Sequence, residues 1–85
     1  MYNVVLTNRA VKSFKKLPDD LQNRCGEVFE ELQNSFAPIR LDVKKLKGYE
    51  DTYRIRLGSW RIIYKVDANE KLTQIYDILP RKKAY

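Results

Sequence analysis

The chain has 85 residues, of which 17 are lysine or arginine and 11 aspartate or glutamate, giving a net charge of +6 with no histidine. That length accommodates one domain, residues 1–85, and not two separate cores. With no histidine and one cysteine, the chain cannot supply a Cys/His zinc site, a Ser-His-Asp triad, an internal disulfide or an imidazole acid–base pair.

The three glycines, Gly26, Gly48 and Gly58, form no phosphate-binding loop, and the acidic residues are too scattered for a metal cage, so no metal and no cofactor is expected. No apolar run approaches the roughly 18 residues of a membrane span. The opening Met1-Tyr2-Asn3-Val4-Val5-Leu6 lacks the basic start of a signal peptide, and the expected location is the cytoplasm.

Tyr2 to Leu6 is short, β-branched and aromatic, and predicts a first strand. Thr7 has the character of a helix N-cap, after which Ala10, Val11, Phe14 and Leu17 fall at helical spacing and Arg9, Lys12, Lys15 and Lys16 take the other side. Pro18 ends that helix. Asp19-Asp20 then opens a second, where acidic side chains suit the positive end of the dipole. Leu21, Cys25, Val28, Phe29, Leu32 and Phe36 give it an apolar stripe over about 16 residues, in which Cys25 reads as a small buried hydrophobe.

Ala37-Pro38-Ile39 breaks the helix, and a connecting segment is expected to run to Asp51. Three strands follow, Thr52 to Leu57, Trp60 to Val66 and Lys71 to Leu79, separated by Gly58-Ser59 and by Asp67 to Glu70. In the first of them Tyr53, Ile55 and Leu57 alternate with Arg54 and Arg56, so one face packs on helices while the other presents guanidinium groups. The order β-α-α-β-β-β predicts an α+β fold, an antiparallel sheet covered on one side by a helical hairpin.

Residues 1–38 carry five basic and five acidic side chains, whereas residues 39–85 carry twelve and six. The whole positive excess lies in the second half, as when one surface meets a polyanion, and acidic proteins fit the same surface. It is concentrated in Lys44-Lys45-Leu46-Lys47-Gly48, Tyr53-Arg54-Ile55-Arg56-Leu57, Trp60-Arg61-Ile62-Ile63-Tyr64 and Leu79-Pro80-Arg81-Lys82-Lys83-Ala84-Tyr85. Any chemistry here must come from arginine, lysine and tyrosine, with at most a carboxylate beside them.

An opening strand followed by Ala10-Val11-Lys12, then Lys45-Leu46-Lys47-Gly48, the Tyr-Arg-Ile-Arg strand, Trp-Arg-Ile-Ile-Tyr and a closing Arg-x-x-x-Tyr occur here in a fixed order. In that order and spacing, nearly the whole chain resembles the RelE/ParE toxin superfamily. The resemblance implies the toxin of a type II toxin–antitoxin module, a metal-free endoribonuclease that cuts messenger RNA in the ribosomal A site. Its partners would be a cognate antitoxin, the message and the ribosome, with operator DNA reached only through the antitoxin complex.

By the same resemblance Arg54, Arg56, Arg61, Arg81 and Tyr85 are the catalytic set, and Lys44, Lys45, Lys47, Lys82 and Lys83 grip RNA. Tyr85 would act as general base; a phenol with its ordinary pKa of about 10 serves poorly at neutral pH, and adjacent cations favour the phenolate. Arg61 would meet the charge of the transition state and Arg81 the leaving oxygen. The archetypal nuclease carries lysines where this chain has Arg54 and Arg56, so proton transfer by those groups is not available. An α-carboxylate on Tyr85 would oppose phenolate formation, and the short spacing from Arg81 to Tyr85 makes Arg81 less secure than Arg61.

Simpler readings exist for the same residues. The arginines could be a solvated sheet face paired with Glu50, Asp51 and Asp77; Tyr53 and Tyr64 fit core packing better than base stacking; Trp60 could cover a sheet edge; Lys82 and Lys83 could be a soluble tail. Two other functions fit the superfamily: a ParE-like inhibitor of DNA gyrase without nuclease activity, and a degenerate toxin that only binds its antitoxin.

Overall fold

Thr7 fixes the first turn of structure. Its hydroxyl accepts from the Ala10 amide at 3.1 Å, so the helix α1 (Asn8–Lys15) starts where the cap predicts, and the same oxygen donates to the carbonyl of Tyr76 at 2.8 Å. The computed structural model describes residues 1–83. The strand β1 (Asn3–Leu6) precedes α1, and Pro18 leads into α2 (Asp19–Asn34), where Asp19 and Asp20 occupy the first turn.

The strands β2 (Asp42–Lys45), β3 (Thr52–Leu57), β4 (Trp60–Asp67) and β5 (Leu72–Pro80) follow, and a 3-10 turn covers Arg81–Lys83. The sheet order is β1-β5-β4-β3-β2. The α+β class and the helical hairpin agree with the sequence, but the sheet differs in two respects. The segment expected to be a plain connection contains the edge strand β2, whose Asp42, Lys44 and Lys45 give it the charged composition that protects edges and hides strand character. The sheet is also mixed, because β1 lies parallel to β5, with Asn3 donating to Lys71 and Thr7 to Ile75 across that seam.

Ala10 and Leu17, with Cys25, Val28 and Leu32 of α2, close over Ile55, Leu57, Ile62, Tyr64, Val66, Ile75 and Ile78. In β3 this is the alternate-residue face that the sequence assigned to the core, and β4 continues it. Tyr64 is fully buried; its hydroxyl donates to the Phe36 carbonyl at 2.7 Å and its ring stacks on Tyr53 at 5.5 Å. Both tyrosines are therefore core residues.

One irregularity matters for the opposite face. Ile63 pairs with Asp77 but Tyr64 pairs with Ile75, which leaves Tyr76 as an extra residue in β5. A bulge of this kind re-aims the side chains around it.

Candidate functional site

Directly opposed residues in an antiparallel ladder share a face, so the register builds the open side of the sheet row by row. One row runs Asp42, Arg56, Arg61, Leu79 across β2 to β5, and the next runs Lys44, Arg54, Ile63, Asp77. The three predicted arginines of β3 and β4 thus stand together on the face away from the helices. Alternation in the sequence is what places them there.

Their surroundings were not legible beforehand. Arg61 is only 3% exposed, and its Nη1 donates to the carbonyls of Gly58 at 3.0 Å and Trp60 at 2.8 Å, folding it over the β3–β4 turn. Arg54 is buried as well, while the Arg56 side chain is half exposed. Nε of Arg61 and both Nε and Nη1 of Arg54 are buried without a hydrogen-bond acceptor among the described residues. Buried guanidinium donors left so are costly, and an anion arriving at this face would offset that cost.

The carboxylate that meets the arginines is Asp42, 3.7 Å from Nη1 of Arg54 and 3.5 Å from Nε of Arg56. Glu50 and Asp51 form no ion pair among the described residues. Asp77, at the β5 end of the second row, is taken up by other partners: it accepts from the Ser13 hydroxyl at 2.5 Å and the Ile78 amide at 2.8 Å, with Arg9 at 3.9 Å. The pairing of Asp42 was invisible because β2 itself was.

The 3-10 turn brings the basic tail to the same end of the sheet. The Arg81 amide donates to the Ser59 carbonyl at 2.8 Å, so Arg81 leaves the very turn that Arg61 caps. Arg81, Lys82 and Lys83 are exposed. Tyr85, the proposed base, lies outside the described residues.

A groove of about 1080 Å³ crosses this face from β2 to β5. Leu46, Ile63 and Leu79 give it an apolar floor; Lys44, Lys45 and Lys47 flank it on one side, and Arg9 and Lys83 on the other. The predicted lysines of β2 and of the tail are thus brought to a single cleft, except Lys82. Tyr49 and Tyr76 also line it, and sequence reasoning passed over both. Tyr49 stands in a turn and Tyr76 at the bulge, and neither position follows from periodicity.

Residues 4–85 match the family described as the ParE toxin of the type II toxin–antitoxin system parDE. The toxin RelE3 of Methanocaldococcus jannaschii is 36% identical over 84 residues, covering 96% of this chain and 93% of that protein. The archaeal RelE–RelB complex from Pyrococcus horikoshii OT3 contains a chain with a TM-score of 0.86 and 35% identity, covering 98% of both chains. A chain of the RelB–RelE antitoxin–toxin complex from Methanococcus jannaschii matches with a TM-score of 0.81 and 34% identity, over 95% of this chain and 94% of that one.

Proposed function

The chain belongs to the RelE/ParE superfamily of toxins from toxin–antitoxin modules, and from that premise we propose that it is a metal-free endoribonuclease cutting messenger RNA on the ribosome. The observation that carries this reading is the register that gathers Arg54, Arg56 and Arg61 on one open face, with Arg81 tied to the turn beside them. Such a cluster suits a phosphodiester whose negative charge grows during reaction.

In the proposed reaction the 2′-oxygen of the RNA bonds to the adjacent phosphorus while the bond to the 5′-oxygen breaks, leaving a cyclic phosphate. The 2′-hydroxyl proton passes to Tyr85 as general base, a role that cations beside its phenol would favour. Arg56, half exposed, contacts the phosphate; Arg61 adds positive potential from within the sheet and keeps the β3–β4 turn in shape. Arg81 stabilises the departing oxygen as a fixed positive charge, and that oxygen takes its proton from water.

We assign the antitoxin to the same basic face. Two of the solved relatives are complexes with RelB, and a lysine-flanked cleft with an apolar floor accepts an acidic amphipathic segment that folds on binding. Occupying that face would shield the arginines.

A translation extract tests the nuclease reading. Wild-type protein added with ribosomes should generate new message ends, and Arg61→Ala and Tyr85→Phe should each suppress them; ends that are unchanged in both variants remove the assigned roles. The match to the ParE family favours a second reading, a gyrase inhibitor. Loss of supercoiling by purified gyrase, with messages left intact, would select it.

A further inference from the structure

Six tyrosines occur in the chain, and two of them have no place in the core or in the reaction above. Tyr49 is 66% exposed and Tyr76 39% exposed, and neither ring contacts another aromatic ring among the described residues. Both nevertheless line the open-face groove. Gly48, at φ +82°, turns the chain just before Tyr49, and the bulge displaces Tyr76 from the ladder.

Spacing limits what the two rings can do together. Between β2 and β5 lie three inter-strand steps of about 4.8 Å, roughly 14 Å in all, too wide for one flat group to be clasped by both. Each ring is a separate platform. Between them lies an apolar floor, and lysines border the cleft, so flat apolar faces are accommodated inside and negative charges at the rim. Bases joined by phosphates have that composition, whereas duplex edges do not enter such a cleft.

The groove is also continuous with the arginines. Leu79 belongs to the groove floor and stands opposite Arg61 in the register, while Lys44 stands opposite Arg54. A strand with one phosphate at Arg56 therefore enters the groove with its neighbouring nucleotides. We infer that Tyr49 and Tyr76 are stacking platforms for two bases of single-stranded RNA flanking the scissile phosphate, a role that rests on the RNA substrate proposed above.

Binding measured without cleavage tests this inference apart from the chemistry. The probe is a short 2′-O-methyl oligoribonucleotide, compared with an abasic oligonucleotide of the same phosphate count. Wild-type protein should prefer the oligonucleotide with bases by about tenfold or more, since each stacked base contributes on the order of 5- to 150-fold in affinity. Tyr49→Ala and Tyr76→Ala should each erode that preference and leave the salt dependence unchanged, while Tyr49→Phe retains it. Lys44→Ala should weaken both probes alike and flatten the salt dependence.

Equal binding of the two probes by wild-type protein, or tyrosine variants that behave as wild type, would overturn the inference. So would variants that lose affinity for an acidic amphipathic peptide while holding RNA normally, because the two rings would then serve protein docking alone. Failure of the RNA reading itself looks different: neither probe binds, and messages in a translation extract stay whole.

Discussion

Asp42 reaches two guanidinium groups at once, but at 3.5 and 3.7 Å it sits against them loosely. Replacing it with asparagine removes a charge that repels phosphate while keeping the shape. Asp42→Asn should bind single-stranded RNA more tightly and steepen the slope of log affinity against log salt by up to about 0.7, the increment for one added phosphate contact. Binding titrations at several ionic strengths measure it. Arg61 has the opposite profile, since its two short bonds to backbone carbonyls make it structural as well as electrostatic. Arg61→Ala should lose about 1.5 to 3 kcal/mol in a urea titration and suppress message cleavage by about 100- to 1000-fold.

Cys25 offers a pH test. Burial pushes its thiol up to about 11, with Arg24 pulling weakly the other way, against an ordinary value of 9.0. The folded state holds that proton more tightly than the unfolded chain does, so the contribution to stability is complete below about pH 9. It is lost as pH rises through 11. Denaturation midpoints between pH 8 and the alkaline limit should therefore fall more steeply in wild-type protein than in Cys25→Ala. Tyr64, whose phenol burial and the neighbouring Tyr53 raise from 10.0, adds its own loss of stability above about pH 10, and that loss is common to both proteins. Residue types were readable in the chain: Arg54 and Arg56 follow from alternation, and the lysines of the face from the family resemblance. Their partners were not, since Asp42 meets Arg54 only through a strand that its own charges disguise.

At the scale of elements, Thr7 joins α1 to the bulge of β5 through one hydroxyl that both accepts and donates. Thr7→Ala should cost about 1 to 2 kcal/mol, read as a lower denaturation midpoint at constant slope, with the Tyr76 backbone shifted in amide chemical shift. The helices, the Thr7 cap and four of the five strands were legible because each is governed by local rules: the period of 3.6, the period of 2, proline and the cap. The parallel seam of β1 with β5 joins residues nearly seventy positions apart and has no local signature. The bulge likewise depends on how two strands meet, so Tyr76 could not be assigned a direction from its neighbours in sequence.

At the scale of the whole molecule, 85 residues bury a small core, and a bound partner can add a large share of the total stability. An acidic antitoxin segment at 100 times its Kd should contribute about 2.7 kcal/mol, raising Tm by roughly 10 to 20 °C in a thermal scan, with the shift growing as more peptide is added. A shift independent of peptide concentration would point away from binding to the native state.

The place of β5 in the sheet also governs when the protein can exist. β5 lies between β1 and β4 and receives α1 as well, so β1 has no strand to hydrogen-bond until β5 has been synthesised. A half-made polypeptide presents Arg54, Arg56 and Arg61 on strands without their final neighbour, and the cleft between β2 and β5 has only one wall. The open face and its cleft therefore take shape only once β5 has been inserted between β1 and β4.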